Sequence, residues 1–340
     1  MKIKNLVMIL TLGVATVSCA DSPKQETKAN YADLTNQYAK VQLTSDVSHL
    51  SDNEKQMLNY LYEIGDIMDD IFWTQNYGGD KETFLNSIED KDARLFAEIN
   101  YGPWNHFDNL APFLPEYGAM PAGAGFYPAD MTKEEFEAWD NPDKTSQYTL
   151  ITRDENGKLQ AVWFHEAYAE QINKAADLLL KAAELAGDEE FANYLRLRAK
   201  ALLTDDYFES DMAWMDVRNN NVDFVVGPIE NYVDALYGYK SAHEAFILIK
   251  DQEWSKQLAH YASLLPVLQT QLPVAPEYKA EKPGADADLA VYDAVYYGGD
   301  CNMAGKTIAI NLPNDERVQL QKGTRKLQLK NAMKAKFLTS

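Results

Sequence analysis

Cysteine and histidine are scarce in this chain. Only Cys19, Cys301 and five histidines occur in 340 residues. Two cysteines cannot build a disulfide framework. Five scattered histidines leave little material for a metal centre built on imidazoles. Positive charge is also in short supply, with 32 Lys and Arg against 52 Asp and Glu and a formal charge of −20. Such a surface repels phosphate backbones and anionic lipid, and no basic cluster interleaved with aromatics offsets it. Nucleic acid is therefore excluded as a partner. No fixed-period repeat appears, which argues against solenoids and propellers.

What is present suits a globular chain of one large domain or two lobes. The apolar fraction is 46% and the aromatic fraction 11%, with 20 tyrosines and six tryptophans. The start, "MKIKNLVMILTLGVATVSCADS", has a basic head, an apolar run from Leu6 to Val14 and small residues leading to Cys19. That run is too short for a permanent membrane helix. It reads as a lipoprotein signal peptide over 1–18, with Cys19 as the acylated residue of an exported, membrane-anchored protein. The anchor would face the periplasm or the cell surface. A plain leader with an incidental cysteine is the alternative. Loss of Lys2 and Lys4 with the leader takes the formal charge to −22. Residues 19–45 are expected to be a flexible tether, and Cys301 a buried, unpaired thiol.

Further along, Ser51 and Glu54 form a capping-box pattern ahead of Met57, Leu61, Ile64, Met68 and Ile71, which recur at helical spacing up to Gly78-Gly79. Helices are expected over Lys81 to Ile99, Thr132 to Trp139, His165 to Ala186, Asp188 to Leu203 and Lys240 to Leu265. The segment from Tyr101 to Pro128, dense in Pro, Gly and aromatics, is expected to be an ordered irregular loop. "YTLITRDENGKLQAVWF" reads as a hairpin turning at Asn156-Gly157. "VDFVVG", "LAVYDAVYYGG" and "KTIAINLP" read as strands, and a basic helical stretch closes the chain. There Leu327, Met333 and Phe337 stand apolar among lysines, either as a truncated end or as an amphipathic terminal helix.

Two stretches, "HEAYAEQ" from His165 and "HEAFILIK" from His243, begin like the zinc helix of a metallopeptidase. Such a helix needs a second histidine one turn later on the same face, with the glutamate activating metal-bound water. Ala169 and Glu170 follow His165 at the required distances, and Ile247 and Leu248 follow His243. Neither box is finished. His49, His106 and His260 have no partner at ligand spacing either. Nucleophile elbows, phosphate loops and dinucleotide fingerprints are missing as well.

Two blocks carry more information. "FVVGPIENYVDALYGYKSAHEAFIL" (224–248) and "YYGGDCNMAGKTIAINLPND" (296–315) resemble signature stretches of the dipeptidyl peptidase III family of zinc exopeptidases. "INYGPWNHFDN", "AGFYPADMTKEEFEAW" and "LLTDDYFESDMAWMDV" resemble its bacterial branch, in the same order along the chain. The resemblance implies an α+β fold, predominantly helical with a small antiparallel or barrel-like sheet, part of a two-lobed peptidase. It implies that 46–340 is the N-terminal part of such a domain, truncated before the zinc-binding half. The family's His-Glu-x-x-Gly-His helix and its further glutamate ligand follow the Asn-x-Pro-Asn strand, beyond Ser340. The resemblance also places "HEAF" on a cleft-lining helix rather than a metal helix.

By the same resemblance, Asn311 and Asn314 would hold a peptide backbone, since an amide both donates and accepts. Glu230 and Tyr232 match the Ile-Glu-x-Tyr stretch, where a carboxylate would help receive a free peptide amino terminus. The implied function is that of a zinc-dependent dipeptidyl peptidase. This chain carries substrate-cleft elements but no metal ligands, so it is expected to bind no zinc and to be inactive alone. Short peptides are the expected partners. A non-catalytic peptide-binding surface lipoprotein is the alternative function, and an assembly scaffold without peptide affinity is a third.

Overall fold

In the computed structural model, residues 30–279 and 288–339 are described. The signal peptide at 1–18 and the lipidation site Cys19 lie outside them. Of the expected tether, 19–45, the described part begins at Asn30. Tyr31–Thr35 forms α1. The Tyr31 ring meets Phe113 edge-on at 6.4 Å, Tyr38 stacks on Phe107 at 5.4 Å, and the Ser45 hydroxyl donates to Asp293 at 3.0 Å.

The long helix α2, Asp52–Tyr77, begins at the anticipated capping box. The Ser51 hydroxyl accepts from Glu54 N, and Glu54 in turn accepts from Ser51 N at 2.8 Å. Its apolar stripe is buried, including Met57, Leu61, Ile64, Met68 and Ile71, and it lies between α7 on one side and strands β6 and β7 on the other. The expected helix over Lys81–Ile99 is two helices, α3 (Lys81–Ser87) and α4 (Lys91–Asn100), because Asp90 caps a fresh start after Ile88. The Pro/Gly-rich segment that follows holds a two-residue ladder, β1 (Trp104–Asn105) with β2 (Ala111–Pro112), and two short 3-10 turns, Pro115–Tyr117 and Ala124–Phe126.

Helix α5 (Lys133–Ala138) is capped by Thr132. The Glu135 side chain is bound by Arg153, which bridges it and Asp130. The hairpin β3 (Thr149–Arg153) and β4 (Leu159–Trp163) closes through a five-residue loop. Within it Gly157 takes a φ of +75° and Asp154 Oδ1 accepts from Asn156 N and Lys158 N. Next come α6 (Phe164–Ala167), α7 (Ala169–Leu185), α8 (Glu189–Leu202) and α9 (Phe208–Trp214). The expected helix from His165 is thus broken at Tyr168.

The main sheet starts with β5 (Val222–Glu230) and β6 (Ala242–Lys250). Here the expected helix over Lys240–Leu265 is corrected. Its first part is a strand buried at every position, and only then do α10 (Gln252–Ala262), α11 (Leu265–Gln271) and α12 (Pro276–Lys279) follow. A continuous apolar run such as Ala245–Ile249 has no helical period of its own, and a strand covered on both faces reads the same way. β7 (Asp288–Gly299), β8 (Ala309–Leu312), α13 (Glu316–Lys322), β9 (Arg325–Leu329) and α14 (Lys330–Thr339) complete the chain. The terminal basic stretch therefore opens as a strand, with Leu327 fully buried and Phe337 83% exposed on α14.

The strand order is β5-β6-β7-β9-β8. All neighbours are antiparallel except β7 and β9, which run parallel. The sheet is open and β8 is an edge. The fold is α+β, with helices the larger share. Across its interior, Asp223 on β5 and Arg325 on β9 form an ion pair of 2.8 Å with neither side chain exposed. Asp223 also accepts from Trp214 Nε1 at 2.9 Å and from the Tyr292 hydroxyl at 3.2 Å. Among the described residues no helix is long and apolar enough to cross a membrane.

Candidate functional site

The unfinished zinc boxes go to separate places. His243 lies on β6, fully buried between the rings of Phe164 and Tyr168. Its Nδ1 is 2.9 Å from Gln75 Nε2, and its backbone N–H donates to Gln75 Oε1 at 2.8 Å. Burial drives its pKa down to about 3, so it is a neutral core group. "HEAF" is thus a strand and not a cleft-lining helix. His165 stands at the start of α6 with Nδ1 2.7 Å from the buried Asp205 carboxylate. Burial lowers the pKa of His106 to about 4. Among the described residues no group of three or more His, Cys, Asp or Glu side chains could hold a metal ion. The described residues include no set that fits zinc, and no step through a metal follows.

The alternation of β6 turns Glu244 away from His243. In the ladders, Glu244 pairs with Gly227 on β5 and with Gly299 on β7. Gly299 has a φ of +75°, and a Cβ there would fall on the His243 carbonyl oxygen. Only glycine lets β7 end so close to β6, and that ending brings Asp300 beside Glu244. β5 contributes Glu230 after an irregularity in register between Pro228 and Glu230. Two residues on, Tyr232 stands 79% exposed. The loop beyond it is gathered by Asp234, whose carboxylate accepts the backbone N–H groups of Leu236, Tyr237, Tyr239 and Lys240.

Glu230, Tyr232, Glu244, Asp300 and Asn311 all line one cavity of about 380 Å³. No lysine or arginine is among its lining residues. Burial raises the pKa of Glu230, while hydrogen bonds from Asn314 and Tyr232 pull against the rise. Burial, then Asp300 and Glu230, raise Glu244 well above the usual carboxylate range. Asp300 is pushed up to about 7, by burial first and Glu230 second. Burial thus disfavours the charged form of all three carboxyls, and an arriving cation would favour it.

Of the four substrate residues expected from sequence, three line this cavity, while Asn314 lines a neighbouring one and reaches this site through its hydrogen bond to Glu230. Asn311 is an exposed position of edge strand β8. Asn314, just past the cis Leu312–Pro313 bond, donates its side-chain amide to the Ile229 carbonyl at 3.2 Å and to Glu230 Oε2 at 3.4 Å. Glu244 and Asp300 were not anticipated. Their signal was a charged residue inside an apolar strand and another directly after a Gly-Gly pair, both costly to place without a purpose. Cys301 is buried, with its thiol 3.3 Å from the Gly298 carbonyl and 3.5 Å from the Ala245 carbonyl.

Comparison with known proteins adds an independent line. The sequence profile of peptidase family M49 matches residues 131–340. "Nudix hydrolase 3" of Arabidopsis thaliana is 30% identical over 361 aligned positions, covering 88% of this chain and 46% of that protein. "Dipeptidyl peptidase 3" of Nematostella vectensis is 25% identical over 174 positions, covering 49% of this chain and 23% of that protein. The solved DPP III of Caldithrix abyssi superposes with a TM-score of 0.85 at 38% identity, covering 90% of this chain and 60% of that one. Dipeptidyl-peptidase III of Corallococcus sp. strain EGB gives 0.81 at 35% identity, covering 90% and 59%. The chain spans less than half the length of these curated relatives and about three fifths of each solved structure.

Proposed function

The chain belongs to peptidase family M49, the dipeptidyl peptidase III family, and from that premise we propose that it carries the peptide-holding elements of a zinc-dependent dipeptidyl peptidase. The acidic cavity takes the free amino terminus of a short peptide. Glu230 is the first acceptor, steadied by Asn314, with Glu244 and Asp300 behind it. The peptide backbone then runs along the open edge of β8, where Asn311 donates and accepts as an extended chain requires. The observation that carries this reading is the convergence of three carboxyls, from β5, β6 and the end of β7, on a cavity with no basic residue in its lining.

Zinc in the family supplies an activated water for hydrolysis, and the described residues of this chain do not provide its ligands. What these side chains do is bind and orient. The test is direct binding of a tetrapeptide with a free amino terminus and of its N-acetylated twin. Preference for the free amine by about tenfold or more is expected; equal affinity would remove the reading. The same proposal includes export and lipid anchoring at Cys19, supported by the leader sequence. Cys19→Ala should abolish labelling by a radioactive fatty acid, and retained label would remove that part.

A further inference from the structure

Two of the three carboxyls of the acidic cavity sit in ladders, Glu244 on β6 and Glu230 at the end of β5. Asp300 does not. It comes one residue after Gly299, where β7 ends and its pairing with β6 stops. Strand pairing therefore does not fix where this carboxyl points. The turn that carries it, Asp300–Asn302, is held from outside the sheet. Asp69 of α2 accepts the Gly299 N–H at 2.9 Å. The same carboxylate oxygen accepts the hydroxyl of Tyr101, which in turn accepts the Asn302 side-chain amide at 2.6 Å.

Tyr101 ends α4 with a φ of +52° and is buried. Burial first, and Asp69 next, raise its pKa well above the usual phenol range, so the hydroxyl keeps the proton that it shares with Asp69. The other Asp69 oxygen stands 3.6 Å from Lys81, a partly exposed pair of little weight. One turn earlier on α2, Asp66 accepts the Tyr296 hydroxyl at 2.7 Å. Gly65 leaves room for that ring, since a Cβ there would fall 2.4 Å from one of its carbons. One face of α2 thus grips the end of β7. Beyond the turn, the Ala304 N–H donates to the Ile99 carbonyl at 2.9 Å and ties the chain to α4.

We propose that Asp69 and Tyr101 are positioning residues of the peptide site: they fix the turn so that Asp300 faces the free amino terminus of a bound peptide. This role rests on the acidic cavity being the amino-terminal site. Neither residue lines that cavity, so neither touches the peptide. The bond from Gly299 sets the last backbone unit of β7, and the bond from Asn302 sets the other end of the turn. Both ends of the segment that carries the carboxyl are tied down. A charged contact of this kind needs its group held to within about 0.5 Å.

The test uses the full chain and three variants. Asp69→Ala removes the shared acceptor, and Asp69→Asn keeps an oxygen that can accept both bonds. Tyr101→Phe drops the hydroxyl but keeps the ring on Phe72 and Trp73. In titration calorimetry, Asp69→Ala and Tyr101→Phe should bind a free-amine tetrapeptide about tenfold more weakly. The N-acetylated peptide should be unaffected, and Asp69→Asn should behave like the unaltered chain. A second readout needs no peptide: carboxyl carbon NMR of the aspartate-labelled chain, with Asp300 assigned through Asp300→Asn. Glu230, Glu244, Cys301 and Tyr232 act on that carboxyl, which titrates at about 7. Its titration should fall toward the ordinary value in Asp69→Ala and Tyr101→Phe and stay in place in Asp69→Asn. The asparagine variant removes the same charge as the alanine, so it separates placement from electrostatics. An Asp300 titration unmoved by both disruptive variants would overturn the proposal. So would an equal loss for both peptides accompanied by a lower melting temperature, the mark of a merely structural role. Equal affinity of the unaltered chain for the two peptides would instead remove the amino-terminal reading, and the titration alone would then decide whether these residues place Asp300.

Discussion

The side-chain amide of Asn314 reaches the Glu230 carboxylate at 3.4 Å, across 84 residues of sequence. It ties the end of edge strand β8 to the end of β5 and fixes one wall of the acidic cavity. The same amide donates to the Ile229 carbonyl at 3.2 Å. Asn314 is therefore a brace as much as a ligand.

Glu230→Gln keeps the shape of this contact and removes the charge. Binding of a free-amine tetrapeptide should weaken by about 10- to 100-fold, and binding of the N-acetylated peptide should change little. Titration calorimetry on the two peptides checks this.

The pH dependence follows from the raised carboxyls. In the unfolded chain Asp300 and Glu244 titrate near roughly 4. In the folded chain burial holds both higher, Asp300 at about 7. Their contribution to stability is complete below the unfolded value and is lost as pH rises through the folded one. Asp300→Asn should accordingly raise the melting temperature at pH 8 by on the order of 2–4 °C. It should give no such gain at pH 4, and melts at the two values decide it. Free-amine peptide binding should strengthen over the same rise in pH.

The Asp223–Arg325 pair makes a prediction about folding alone. Asp223→Asn leaves a buried guanidinium without its counter-charge and should cost about 3–5 kcal/mol. Urea unfolding monitored by the tryptophans is the measurement, Trp214 being itself bonded to Asp223.

Metal removal tests the function assigned to the described residues. Dialysis against a chelator should leave the melting temperature and the free-amine affinity unaltered, and the chain should hydrolyse no dipeptidyl substrate. One equivalent of retained zinc with chelator-sensitive hydrolysis would contradict this.

Much of the architecture was legible where local chemistry and periodicity agreed. Ser51 and Glu54 announced α2, Asn156-Gly157 announced the β3–β4 hairpin, and the helix expected from Asp188 is α8. The failures have separate causes. β6 is a strand covered on both faces, and full burial erases its two-residue alternation. β9, Arg325–Leu329, keeps the alternation, with Arg325, Leu327 and Leu329 buried and Lys326 exposed, but five residues are too few to set it apart from the helical stretch that follows. The break at Tyr168 and the division at Ile88–Asp90 depend on packing and capping contacts that a single segment does not reveal. At the site, Glu230, Tyr232, Asn311 and Asn314 emerged from resemblance, whereas Glu244 and Asp300 needed the register of three strands. His243 and Glu244 also show why the tempting dipeptide misled: adjacent in sequence, they serve opposite sides of one strand.

That opposition makes length, rather than identity, the sensitive variable in β6. Shortening the connection before Ala242 by one residue would slide the strand by one step and exchange its two sides. An imidazole would then look into the cavity, and a carboxylate would be thrust among Phe164, Tyr168 and Gln75. Evolution can therefore swap side chains along this ribbon far more freely than it can insert or delete there, and chimaeras should be joined elsewhere.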